Sequence, residues 1–405
     1  MATQRYGRTQ NQVLVAKIEG TEGTEESLTT ATDSIPCEPI DVDLGEQTIE
    51  SNEAQASLVK GAKVVTRFDP RAPLVVKMRG SGSVATAPRI SPLLRIGGLA
   101  EQTLAVLPSS STFAVASGTT KTIVVDRSSG TGTQLAATNA LLALQLVGRV
   151  MTLAVNPSTP RDVTIVKATV SGDNVTITFG ETLASAADNT TTAVVKAGTL
   201  YQPTTTIPTA TIARYRDGKL IKLIGCRGRH SFKMPGAERP TLTCDVGGTF
   251  VSETDAAVPT DADFSSLPPE PIWRNGRAWI DYLDTGCADF SLDSNTQSTK
   301  YINPNLQYAA DREIITSLDP GGTVNLNDKL VAYHDVVTKM AGNAVMPFVA
   351  VTDLSGSAGS RLAVTVPNML ILKRGEGDRE GITESVLNYQ ATFVSPTPAF
   401  TYFFF

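Results

Sequence analysis

Histidine is nearly missing from this chain: 405 residues contain two, His230 and His334. One lies in a strand-like stretch and the other in a helix-like one. Neither is accompanied by a GxSxG elbow, so a Ser-His-Asp triad has no natural seat. Cysteine is also sparse. Cys37, Cys226, Cys244 and Cys287 form no CxxC pair and have no zinc or haem spacing. They read as small apolar residues of a protein kept in a reducing compartment. No apolar run is long enough to span a bilayer. The opening "MATQRYGRTQNQ" lacks the apolar centre of a secretory signal, so a soluble protein made in a cytoplasm is expected. Charge of one sign is lacking too. With 35 basic against 40 acidic residues, the net of −5 gives no general electrostatic reason to hold nucleic acid tightly.

The search for chemistry is equally thin. "RGSGSV" (79–84) has glycines but no Walker lysine and no strand–GxGxxG–helix context, so it reads as a loop. "DPGGT" (319–323) and "DLSGSAGS" (353–360) read as turns. The acids of "NPNLQYAADRE" (303–313) are spaced too widely for an EF-hand loop. Acidic residues are plentiful, yet no cluster marks a glycosidase pair. No residue is assigned a catalytic, cofactor-binding or metal-binding role, and no cofactor is expected.

What is present is β patterning. Hydrophobic residues make up 41% and charged residues 19%, enough to bury real cores in two or three domains. The strongest local signal is "IARYRDGKLIKLI" (212–224). Asp217-Gly218 between two alternating runs predicts a two-residue hairpin, with Arg216 opposite Lys219, Tyr215 opposite Leu220 and Arg214 opposite Ile221. Beyond it, His230, Phe232 and Met234 alternate with Arg229, Ser231 and Lys233. Leu242, Cys244 and Val246 then alternate with Thr241, Thr243 and Asp245, predicting half-buried antiparallel strands. Further strands are expected at 11–20, 56–68, 72–82, 361–374 and 381–394. "APRISPLLRIGGLAE" (87–101) predicts one or two helical turns stopped by Gly97-Gly98. "NDKLVAYHDVVTKMAGN" (327–343) predicts a longer helix, capped by Asn327 or Asp328 and ended by Gly342. Leu330, Tyr333, His334, Val337 and Met340 would share its inner face.

Between 104 and 202 the composition turns to Ser, Thr, Ala and Asn with sparse charge. Short strands recur at 121–127, 148–156, 161–170, 173–180 and 192–198, and "VSGDN" (170–174) makes a tight hairpin. This segment reads as a small β-sandwich, complete in itself, with "YQPTTTIPTA" (201–210) as its exit linker. The expected organisation is 1–103, 104–202 and 203–405. The whole is all-β with one or two short α-helices. Two long polar loops, 21–34 and 256–271, are expected to contact neighbouring copies.

Several stretches together resemble one family. They are "VLVAKIEGTEGTEESLTTATDSIPC" (13–37), "LVVKMRGSGSVATAPRISPLLRIGGLAE" (74–101), "ARYRDGKLIKLIGCRGRHSFKMPGAERPTLTCDVGGTFV" (213–251), "CADFSLDS" (287–294), "YAADREIITSLDPGGTV" (308–324) and "GDREGITESVLNYQATF" (377–393). Their order and joint coverage are similar to the major tail tube proteins of long-tailed bacteriophages and of related gene-transfer particles. The resemblance implies a β-sandwich or partial-barrel tail tube domain flanked by a helix. It also implies homo-oligomeric rings, usually hexameric, stacked into a tube whose inner strands form one continuous barrel. Double-stranded DNA would pass through that channel without specific binding. Tape-measure, tail-terminator and distal-tail proteins would be the partners, in a virion assembled in the bacterial cytoplasm. The segment 104–202 departs from the family's simple pattern and would be an outward-facing decoration domain. Arg216, Lys219 and Lys222 argue against putting the 217–218 tip in an all-acidic lumen, unless they pair with neighbours. A reading from another class is a carbohydrate-binding or adhesive β-sandwich of a tail tip or decoration.

Overall fold

Asp217 and Gly218 both take positive φ, 38° and 103°. The strands they join, Ala210–Arg216 and Lys219–Pro235, pair 216 with 219, 215 with 220 and 214 with 221, as the alternation requires. The computed structural model describes residues 11–50, 62–128, 130–155, 160–262, 264–306, 310–353 and 356–405. The expected strand residues 56–61, and parts of the turns at 303–313 and 353–360, lie outside these. Among the described residues the chain is mainly β, 52% strand and 8% helical, with four short helices.

Fifteen strands form one sheet. Its continuous path runs Ser34–Ile35, Gln12–Ile18, Ala210–Arg216, Lys219–Pro235, Cys287–Asp293, Gly321–Asn327, Ile382–Ala391, Leu362–Arg379, Thr401–Phe404, Gly198–Pro203, Leu99–Leu104. Thr241–Asp255 branches from it, pairing with Lys219–Pro235 along most of its length and with Arg71–Lys77. The alternation read from sequence sets the faces: His230, Phe232, Met234, Leu242, Cys244 and Val246 are buried, while Arg229, Lys233 and Thr243 are exposed.

The sheet's core is heavily aromatic. Phe290 stacks on Phe348 at 4.5 Å, and Phe232 lies 5.2 Å from Tyr402. "AFTYFFF" supplies its closing strand, inserted between Leu362–Arg379 and Gly198–Pro203. Phe400, Tyr402 and Phe404 enter this core, whereas Phe403 and Phe405 join a separate cluster on the other face. A strand buried on both faces has no polar side to alternate, so it reads as a continuous apolar run.

The helix Ser91–Ile96 forms where expected, with Leu93, Leu94 and Ile96 buried and Gly97 as its C-cap. Gly97 has a steric role: a Cβ there would stand 2.6 Å from His230 Nδ1. The helix expected over 327–343 is corrected to Val336–Ala341, capped by Asp335, which accepts from the Thr338 amide at 3.0 Å. Asn327 instead ends the strand Gly321–Asn327 opposite Glu384. Asp328 is taken by Arg374 at 3.1 Å and Ser385 at 2.7 Å. Ladder and ion pair hold the chain extended where the helical pattern would begin; of the expected face Leu330, Tyr333 and Val337 are exposed, while His334 is buried and Met340 packs against the core.

The expected sandwich within 104–202 is a closed six-stranded barrel. Its order is Arg161–Ser171, Asn174–Phe179, Thr122–Asp126, Phe113–Gly118, Thr192–Val195, Val150–Ala154, returning to the first. Closure removes the strand edges that a small sandwich would leave open. Phe113, Ile165 and Phe179 are among its buried interior residues. The flanking strands Leu99–Leu104 and Gly198–Pro203 pair with each other in the large sheet, Leu104 opposite Gly198. The barrel therefore bulges out between two hydrogen-bonded neighbours. Tyr201, expected in a linker, is fully buried in the sheet's core. The stretch between strands is only 204–209.

Candidate functional site

The groups that sequence chemistry would inspect first are absorbed by structure. His230 is 0% exposed, with its ring 6.1 Å from Phe400 and 6.2 Å from Tyr402. Burial drives its pKa down to about 4, so it is neutral in the core. His334 sits in the loop before the short helix, and burial lowers its pKa as well. The four cysteines are free. Cys226 and Cys244 are buried as expected, but Cys37 and Cys287 are only partly so. Burial pushes the Cys37 and Cys244 thiols up to about 12, away from reactive thiolate character. Among the described residues no group of three or more His, Cys, Asp or Glu converges as a metal site.

The basic stems of the 217–218 hairpin are paired within the chain. Arg216 meets Asp41 at 2.9 Å, Lys219 meets Glu253 at 3.0 Å and Lys222 meets Glu25 at 2.6 Å. The loop at 21–34 is held against the rest of its own chain. Glu19 accepts from the Gly23 and Gly225 amides at 2.7 and 2.8 Å, and Glu22 pairs with Arg227 and Arg312. Thr30 reaches Asp261 in the other long loop at 2.7 Å.

Two narrow ribbons carry exposed apolar surface. Among the described residues, Glu46–Glu50 and Lys63–Phe68 pair with each other and with no third strand. Ile49 and Val64 stand directly opposite at 64% and 62% exposure, and Val65 is 52% exposed. In the second ribbon, Gln297–Ile302 with Ala310–Ser317, Tyr301 and Ile302 are 63% and 58% exposed. This one is anchored to the body, by Arg71 on buried Glu313 at 3.0 Å and Lys300 on Asp69 at 2.5 Å. Sequence reading missed "EQTIE" as a strand. Its signal was β-branched alternation opposite "KVVTRF", with no core-facing side to make it conspicuous.

The barrel is docked, not tethered. Val150 and Val166 on its outer wall pack with Leu200, Val349, Val351, Ala363, Phe403 and Phe405 of the sheet. Glu181 of the barrel, 1% exposed, receives Arg161 at 3.0 Å and Arg277 of the sheet at 3.4 Å. At the neck, buried Arg149 donates to the carbonyls of Gln145 at 3.0 Å, Lys196 at 2.6 Å and Ala105 at 2.5 Å, tying together the chains that enter and leave the barrel. Comparison with known protein families and with curated proteins finds no match.

Proposed function

We propose that the chain is a structural subunit of a bacteriophage tail tube, assembling into stacked, hexameric rings around a channel for DNA. The observation that carries this reading is the ribbon Glu46–Glu50/Lys63–Phe68. A two-stranded ribbon is marginally stable alone. Among the described residues no third strand pairs with this one, and it exposes opposed β-branched side chains that a neighbouring copy would cover. The long paired strands of the large sheet and the internally neutralised 217–218 tip fit a subunit whose charged surface is meant to let DNA slide. The docked barrel is the decoration on the outside.

The test is electron microscopy of the purified protein with and without the double change Ile49→Lys, Val64→Glu. Stacked rings with a central channel are expected for the unaltered chain, and dispersed subunits for the variant. Because both side chains are solvated in the subunit, its unfolding free energy should move by no more than about 0.5 kcal/mol. A protein that forms no ring under any condition, or rings indifferent to the double change, would overturn the reading.

A further inference from the structure

The chain has two tryptophans, Trp273 and Trp279, and both line one pocket of about 320 Å³ beside the barrel junction. Trp279 projects from the strand Arg277–Ile280, whose next residue, Ile280, turns into the core. Its indole is pinned: Arg161 lies 5.5 Å over the ring and is itself tied to Glu181 at 3.0 Å. Trp273 forms a nearly buried wall, its backbone amide bonded to the Glu238 carbonyl at 2.9 Å. Arg274 and Asn275 line the same pocket on an exposed turn, with Asn275 at φ 49°. Their side chains make no hydrogen bond or ion pair among the described residues. Asp284 completes the rim, using Oδ1 only for the Gly286 amide at 3.2 Å.

We infer that this pocket binds a single pyranose ring of a glycan. A pyranose has an apolar C–H face that stacks on an indole, and vicinal hydroxyls that both donate and accept. Arg274 offers donors, Asp284 acceptors and Asn275 one of each, all on planar groups suited to paired hydroxyls. Other ligand classes fit less well. A phosphate would meet the Asp284 carboxylate, and an apolar peptide anchor would strip water from Arg274 and Asn275 without replacing their hydrogen bonds. The volume lies at the small end of ligand pockets, suited to one ring and not a long oligosaccharide. The site belongs to the sheet side of the junction, not to the barrel's interior.

Tryptophan fluorescence reads this pocket directly, because both tryptophans line it. The purified full chain is titrated with glucose, galactose, mannose and N-acetylglucosamine. A saturable change with at least one sugar is expected, with a Kd in the millimolar range appropriate to a small polar ligand. Arg274→Ala, at an exposed position, should weaken that sugar by at least about tenfold. Asn275→Gly, which keeps the positive-φ turn but removes the amide, should weaken it as well. No saturable change with any of the four sugars, or a change that both variants leave intact, overturns the proposal.

Discussion

Lowering the pH should unfold this protein through His230. The unfolded chain holds that histidine at its ordinary pKa of about 6.5, whereas burial among Phe400, Tyr402 and Gly97 lowers it to about 4 in the native state. Between those values the unfolded chain binds the extra proton, so the stability that a neutral core histidine permits is fully present above pH 6.5. It is lost as pH falls toward 4. Each unit of separation corresponds to 1.36 kcal/mol, which bounds the whole effect at about 3 kcal/mol, with about 2 kcal/mol already lost at pH 4.5. That is a large share of a marginal stability. The assay is denaturant unfolding at pH 7, 5.5 and 4.5, for the natural chain and for His230→Leu. The substitution removes the titrating ring while keeping an apolar side chain of similar size. The stability difference between the two should shift by about 2 kcal/mol in favour of the leucine variant as pH falls. A difference that stays constant with pH, or shifts the other way, would refute the placement of a neutral histidine in this core.

Gly218→Val should cost about 1–2 kcal/mol, read as a lowered Tm, because φ of 103° strains any side chain even though no atom lies within 4 Å of a Cβ there. Arg149→Met should cost about 3 kcal/mol or more in chemical denaturation, by leaving the carbonyls of Ala105, Gln145 and Lys196 without their donor. Replacing 105–197 with an Asn-Gly turn should give a folded chain by circular dichroism, since Leu104 and Gly198 are already ladder partners. It should also uncover Val349, Phe403 and Phe405, an apolar patch seen as increased dye binding. On the tail tube reading the shortened chain still forms rings, and their loss would place the barrel in the assembly core.

Turns and alternation were legible in the sequence because they depend on near neighbours. Asp217-Gly218 dictates its hairpin whatever surrounds it, and the same holds for Ser171 opposite Asn174 in the barrel. The inward side of His230, Phe232 and Met234 follows from the two-residue repeat alone. The low-charge stretch after residue 104 was visible as a change of composition, and the lack of any motif beside the histidines pointed away from catalysis without saying whether they lie in the core or at the surface. Tertiary structure decided the rest, wherever a partner distant in sequence outweighed a local preference. Arg374 and the Glu384 ladder position keep 327–328 extended against a helical pattern. Two flanking strands draw Tyr201 out of a Thr/Pro-rich linker into the core, and the same sheet takes in Phe400–Phe405 on both faces. Closure turned the expected sandwich into a barrel, because six short strands can satisfy one another's edges only by meeting end to end. The tryptophan pocket belongs to the same class: Arg161 reaches Trp279 from the barrel, across more than a hundred residues of chain, and only folding brings them together.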